Sequence, residues 1–433
     1  MNCYAVSMHH TVIQKRLSNG ISVVLVPLAG TAAVTFTVLM GVGSRYESDK
    51  QQGLAHFTEH LVFKGGKKYL SAEAVTQALD AVGGEFNAYT SYEFTGFYAK
   101  TASQHLQLGI DVLSDIVLHA TFPQEEIEKE KGVIVEEINM YEDIPMRKVD
   151  HVLADLAYGD APLGRPILGT KKTVKAFTRQ DFLDYREQFY MGTQCVIAVA
   201  GAFDQDEIVE KVEAAFGEMP EGQPYRPAPS AILYPTSRVK VEEKKSEQAH
   251  LMLAVEAYAM AHPKRYAYRL LSVILGGNMS SRLFVSVREK QGLCYYVRAG
   301  ADAYSDSGMF VVSAGVDNAR LPQAVTAILK ELSLIRDNPV PADELERAKQ
   351  FLLGKTLLGM EDSEQVGEFY GMQQLLEGQL EEIEEMEHKL LAVTVEEVQE
   401  VAREIFQDAR LRLAVIGPHE DASALERLLT FTS

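Results

Sequence analysis

The sequence contains no tryptophan, and its three cysteines, Cys3, Cys195 and Cys294, are too far apart to match zinc-binding or redox spacings. A disulfide framework is therefore not expected, and a reducing compartment fits better. Basic residues are scarce. Lys and Arg total 42 against 61 Asp and Glu, giving a net charge of -19. Such a field repels a phosphate backbone and argues against nucleic-acid binding. It would attract basic peptides, although solubility alone also explains an acidic surface. No run approaches about 18 uninterrupted apolar residues, so no membrane-spanning helix is expected. The first twenty residues lack a basic segment followed by an apolar one, so no secretory leader is expected and the cytoplasm is the expected location.

What is present is an ordinary globular composition, 46% hydrophobic and 24% charged over 433 residues. At roughly 100–200 residues per domain, that length predicts two to four domains. The pattern of elements occurs twice. Phe122-Pro123 and Val340-Pro341 each open a helical, charge-rich segment. Val196–Gly201 and Leu413–Gly417 are apolar strands that end in glycine and lead into a helix. Gly96–Ala99 leads to a helix over Leu106–Val117, and Gly308–Val312 to one over Leu321–Leu332. Between the copies, Met219–Pro229 carries four prolines and reads as an extended linker. The expected domains are 1–218, a linker over 219–236, and 237–433. Strands come in runs and hairpins, at Ile21–Val26, Val34–Met40, Leu251–Val255 and Phe310–Ala314. This predicts an α+β fold of two homologous domains, each a largely antiparallel sheet packed with helices.

His56-Phe-Thr-Glu59-His60 is the most informative segment, within a helix predicted over Gln52–Phe63 and closed by Gly65-Gly66. Residues four apart share a helical face, so His56 and His60 can grip one ion, and neutral imidazole suits Zn²⁺. Glu59 projects close to that face and could reach a water at the metal. About 0.03 such patterns are expected by chance in this composition. A zinc site normally needs a third protein ligand. In the helix predicted over Pro123–Tyr141, Ile127, Ile134, Ile138 and Tyr141 form an apolar stripe, with Glu130 and Glu137 along its edge. Glu136 points about 100° away from Glu137. On the residues alone, a solvated Glu-rich helix explains Glu130 and Glu137 better than a metal does.

His56-x-x-Glu59-His60, with 76 residues between His60 and Glu137, resembles the pitrilysin or insulinase family of zinc peptidases. Gly53–Gly65, Gly84–Thr90 and Val135–Asp143 extend the resemblance, and the length matches the short, processing-peptidase-like branch. The resemblance implies one zinc ion per chain, with His56, His60 and Glu137 as ligands and Glu59 as general base. It implies that Glu130 orients a histidine ligand, and that Asn87-Ala88 lies on an edge strand where a peptide pairs through its main chain. It also implies that Arg288 and Tyr295 of the second copy complete the active site. Tyr296 is adjacent, and the family spacing favours Tyr295. The second copy has no His-x-x-Glu-His in Tyr268–Gly277, and Ala348 and the stretch near Lys355 stand where Glu130 and Glu137 would be.

The expected function is cleavage of peptides or unfolded segments, basic ones favoured by the net charge, enclosed between the two domains of a homodimer subunit. A zinc-holding, non-cleaving peptide-binding subunit of a hetero-oligomer is the alternative, and a metal-dependent hydrolase of another substrate class is the third. Gly276–Ser281 lacks the Lys-Ser/Thr ending of a phosphate loop and reads as a turn. The acidic tract Glu381–Glu387 reads as a solvated helix face, and His9-His10 as a frayed terminus.

Overall fold

The computed structural model describes residues 10–227, 229–234, 237–419 and 421–431. Cys3, His9 and residues 228, 235 and 236 of the expected linker lie outside them. Six strands, β1 (Ile13–Arg16), β2 (Ser22–Pro27), β3 (Ala33–Met40), β4 (Glu85–Thr90), β5 (Thr95–Ala102) and β6 (Cys195–Gly201), form one sheet in the order β1-β2-β6-β3-β5-β4. Five more, β7 (Val239–Glu243), β8 (Gln248–Glu256), β9 (Cys294–Ala303), β10 (Gly308–Asp317) and β11 (Leu411–Gly417), form a second in the order β7-β11-β8-β10-β9. Each sheet has one parallel pair, β2 with β6 and β7 with β11, and is otherwise antiparallel. Strand for strand, β2-β6-β3-β5-β4 repeats as β7-β11-β8-β10-β9, so the duplication read from the sequence is one of topology.

The central strands β6 and β11 are buried along their whole length. Strands buried in this way, apolar apart from Arg412 in β11, need cover on both faces. In the first sheet, Val34, Phe36, Val38 and Met40 of β3 point into a core shared with the helices Leu54–Val62 and Leu106–His119. The alternate residues point the other way. Against them lies the helix Ser363–Met372, with Thr35 and Ser363 hydroxyls 2.8 Å apart. Gly367 and Gly371 of that helix face Thr37, Leu39, Ala198 and Ala200, where a Cβ at Gly371 would meet Leu39 at 2.7 Å. Small residues one turn apart let the helix lie close on the strands.

This packing corrects the expected division into 1–218 and 237–433. One compact unit takes the chain up to Ile138, Pro166–Ala228 and Thr356–Met386; the other takes Asn139–Arg165, Pro229–Lys355 and the chain from Glu387 on. The boundary at Ala228/Pro229 falls inside the proline-rich stretch, which carries neither helix nor strand among its described residues. Each unit nevertheless borrows a helix from the other repeat. Ser363–Met372 covers the first sheet, and Pro145–Tyr158 packs on β7, β8 and β11 of the second. The reason is the two-faced burial of the central strands, which the helices of one repeat do not complete.

The helix Leu54–Val62 is fixed at its start by Gly53, whose φ is +91°. A Cβ there would approach the Leu168 carbonyl oxygen to 2.5 Å and Gly169 Cα to 2.9 Å. An L-residue in left-handed geometry costs roughly 1–2 kcal/mol before any clash. Gly53→Ala is therefore expected to lose at least about 2 kcal/mol in urea unfolding. A midpoint equal to that of the parent would refute this account of the turn.

Candidate metal centre

The Leu54–Val62 helix is seated by Glu47, a buried carboxylate outside it. Glu47 Oε2 accepts the Gly53 N–H at 2.8 Å, and Oε1 accepts the Ala55 N–H at 2.6 Å. A carboxylate on the first free N–H groups of a helix is the arrangement the helix dipole favours. On the opposite side Phe57 packs edge-on against Phe177 and Phe182. The helix is thus held in rotation as well as in position, and His56 and His60 come to one face with ring centroids 4.6 Å apart.

The second helix, Gln124–Asp143, buries Ile127, Glu130 and Ile134. Burial of Glu130 overturns the solvated-helix reading of this position; Glu136, by contrast, is exposed. Glu130 Oε1 lies 3.2 Å from His60 Nδ1, and Oε2 lies 3.0 Å from Lys64 Nζ. Burial pushes the Glu130 carboxyl upward, but the hydrogen bonds to His60 and Lys64 outweigh it and hold it below its ordinary value. As a carboxylate it accepts the Nδ1–H of His60, which leaves the Nε2 lone pair pointing away.

Two turns on, Glu137 Oε2 lies 3.6 Å from His56 Nε2 and 3.8 Å from His60 Nε2. These are too long for hydrogen bonds. One ligand atom from each of His56, His60 and Glu137 falls within 4.8 Å of the other two. Two imidazole nitrogens and a carboxylate oxygen around one point are the donor set of a zinc site with an open fourth position. Burial, reinforced by repulsion from His60, lowers His56 to about 3, so it is neutral and free to donate its lone pair. Its Nδ1 is buried with no hydrogen-bond partner among the described residues. Burial also works to lower His60, but the Glu130 hydrogen bond and the charges of Glu59, Glu137 and Glu130 raise it overall. The residues therefore fit zinc.

Glu59 is half-buried between these groups. Burial raises its carboxyl and Glu137 adds to the rise, while a hydrogen bond from Thr90 and the nearby His60 oppose it; the net direction is upward. Thr90 Oγ1 donates to Glu59 Oε2 at 2.5 Å. Asn87 and Ala88 lie on β4, the last strand of its sheet, which packs beside the Leu54–Val62 helix. Arg288 and Tyr295 belong to the other unit. Arg288 sits in a π-helical turn, Phe284–Lys290, with its guanidinium 4.5 Å from the Phe284 ring centre. Tyr295 is 76% exposed on β9, the edge strand of the second sheet. In the repeat, the helix Ala342–Gly359 carries Ala348, buried, and Lys355 in place of the two glutamates.

Glu47, Lys64 and Thr90 escaped the reading of the sequence. Lys64 had a signal, since it follows His60 by four residues, the spacing of helical neighbours. Thr90 and Glu47 had none, because their partners are fixed by tertiary packing.

The chain as a whole is similar to a set of known proteins. The family model described as "Insulinase (Peptidase family M16)" matches residues 22–171, and that described as "Peptidase M16 inactive domain" matches 176–352. The chain is similar to an uncharacterized zinc protease of Streptomyces coelicolor, with 36% identity over 96% of this chain and 91% of that one. It is also similar to the uncharacterized zinc protease YmxG of Bacillus subtilis, with 35% identity over 92% of this chain and 97% of that one. The crystal structure of a protease from Helicobacter pylori shares the fold, with a TM-score of 0.86, 23% identity, and coverage of 94% of this chain and 100% of the other.

Because His60 is raised above 6.5 while His56 stays neutral down to about 3, zinc has to displace a proton at only one of the two histidines. Zinc affinity is expected to rise about tenfold per pH unit between about pH 5 and 6.5 and to level off above the His60 value. Competition with a chromophoric chelator across that range measures the slope. A hundredfold rise per unit would mean that His56 is protonated too.

Proposed function

The chain belongs to the insulinase (M16) family of peptidases, and on that premise we propose that it is a zinc metalloendopeptidase acting on peptides and unfolded segments. One observation carries the reading: His56, His60 and Glu137 turn their donor atoms onto one point, within 4.8 Å of one another, with the Glu59 carboxylate held beside them. Zinc held by these three residues would supply a Lewis acid and a water nucleophile available near neutral pH.

The chain's own residues supply the rest. Glu59 removes the proton of the attacking water and returns it to the leaving amine. Its raised carboxyl suits both tasks, since a base with a value nearer neutrality both accepts and gives back a proton readily. Glu130, charged and shared between His60 and Lys64, holds the His60 ring so that its Nε2 lone pair would be available to the metal. The open edge of β4 offers main-chain groups to an extended peptide. The Ala88 N–H points outward, where Asn87 Oδ1 accepts it at 2.9 Å. Pairing through the main chain reads backbone rather than side chains, which fits a peptidase of varied substrates.

Arg288 and Tyr295 enter the proposal through the family resemblance, as groups for a substrate carbonyl and its oxyanion. A homodimer enters on the same ground; a solution mass of 48.0 kDa, that of a single chain, would remove it. The central test is Glu59→Gln. That variant should bind zinc like the parent and lose at least about 100-fold in cleavage of an unstructured peptide, the size of a general-base contribution. Undiminished turnover in the zinc-loaded variant would reject the assignment.

A further inference from the structure

We infer that Thr90 is a positioning residue for Glu59, tying the base to the strand on which substrate would pair. This rests on the peptidase reading given above. The alternation of β4 separates its residues into two sets. Phe86 and Thr90 face the helix Leu54–Val62 and its end: the Phe86 ring lies 5.9 Å from Phe63, and the Thr90 hydroxyl lies on Glu59. Tyr89 takes the opposite face, where its ring fills the space beside Gly96.

At 2.5 Å the Thr90–Glu59 contact has one polarity, because a carboxylate only accepts and the hydroxyl must donate. Oε2 is thereby occupied, and Oε1 is the oxygen left to meet a water. A glutamate has three side-chain torsions, and the helix that carries Glu59 does not by itself fix them. Holding the carboxylate in advance removes that freedom from the reaction.

Thr90 is itself rigidly placed. It ends β4 at a tight turn, where Ser91 N–H donates to the Phe94 carbonyl at 2.8 Å. The turn is bound in turn by Ser44 N–H on Ser91 O at 3.1 Å and Arg45 N–H on Tyr92 O at 2.8 Å. The buried ion pair of Arg45 and Glu93, 2.6 Å long, locks it. Threonine is also stiff at χ1, which fixes where its hydroxyl points. In an antiparallel edge strand alternate residues direct their main-chain groups outward. The residues Phe86, Ala88 and Thr90 form that outward set, since the Ala88 N–H is free of β5 and Ser91 is turned inward. The residue that holds the base therefore belongs to the same set that would bond the peptide, and the two are one rigid element.

The test uses the full chain with Thr90→Val and Thr90→Ser, each with zinc content measured. Thr90→Val should bind zinc like the parent and lose about 10–100-fold in kcat with KM nearly unchanged, the usual cost of removing such a supporting contact. Thr90→Ser, which keeps the hydroxyl, should recover most of the loss. A kcat for Thr90→Val equal to the parent's overturns the inference and leaves the peptidase reading intact. A second measurement needs no activity: urea unfolding of metal-free parent, Thr90→Val, Glu59→Ala and the double variant. Non-additive losses show the hydrogen bond, and additive losses overturn it. If the zinc-loaded parent cleaves nothing, the peptidase reading fails, and the unfolding cycle still decides whether Thr90 holds Glu59.

Discussion

Glu130 is the tie on which the candidate metal centre depends. It is buried on one helix, and its two oxygens reach His60 and Lys64 of another segment at 3.2 and 3.0 Å. Burying a carboxylate alone is costly, so the helix Gln124–Asp143 can pack here only with those partners in place. The same helix carries Glu137 two turns further on. Once Glu130 is engaged, the helical rise sets Glu137 opposite the two histidines without any further adjustment. The second-repeat helix Ala342–Gly359 makes the converse point. It buries Ala348 at the position corresponding to Glu130 and carries Lys355 at that corresponding to Glu137. The fold tolerates both versions, so the chemistry is an addition to the scaffold and not a condition of it.

The other constraint is the short stretch Ser44–Glu47. Ser44 and Arg45 bind the turn that ends β4, and Glu47 binds the start of the Leu54–Val62 helix. These few residues therefore set the distance between the edge strand and the helix that bears His56, Glu59 and His60. Their charged members are almost wholly buried and satisfied by specific partners. Replacing one partner would strand the other in a low-dielectric setting, which penalises alternative arrangements of the loop.

Much of this was legible in the sequence, for reasons that are physical. The i, i+4 spacing of His56 and His60 dictates a shared helical face, and the duplicated strand–helix patterns dictate two similar sheets. Strand and helix limits came within a few residues: Val34–Met40 against Ala33–Met40, and Leu106–Val117 against Leu106–His119. Glu137 was reached only through resemblance, since periodicity puts Glu130 and Glu137 alike at the edge of an apolar stripe and cannot say what lies across from them. The exchange of helices was illegible for a related reason. An amphipathic pattern shows that a face is buried but not against which sheet, so Pro145–Tyr158 and Ser363–Met372 read as members of their own repeats. Glu47 and Thr90 act on groups 6 to 8 and 31 positions away along the chain, across turns that no local pattern encodes.

The electrostatics of the candidate centre couple Glu59 to His60, so the two cannot be understood separately. Glu59 and His60 are neighbours on one helix, and each pulls the other toward its charged form. Burial opposes both charges. For His60 the Glu130 hydrogen bond tips the balance toward the cation, whereas for Glu59 burial wins despite Thr90 and His60. A divalent ion at His56, His60 and Glu137 would exclude the proton from His60 and bring its own positive charge beside Glu59. The ion would then favour the Glu59 carboxylate over its acid, the form that a general base requires. The ligand atoms of His56, His60 and Glu137 already converge, so the ion would act on Glu59 through its charge, against the upward push of burial.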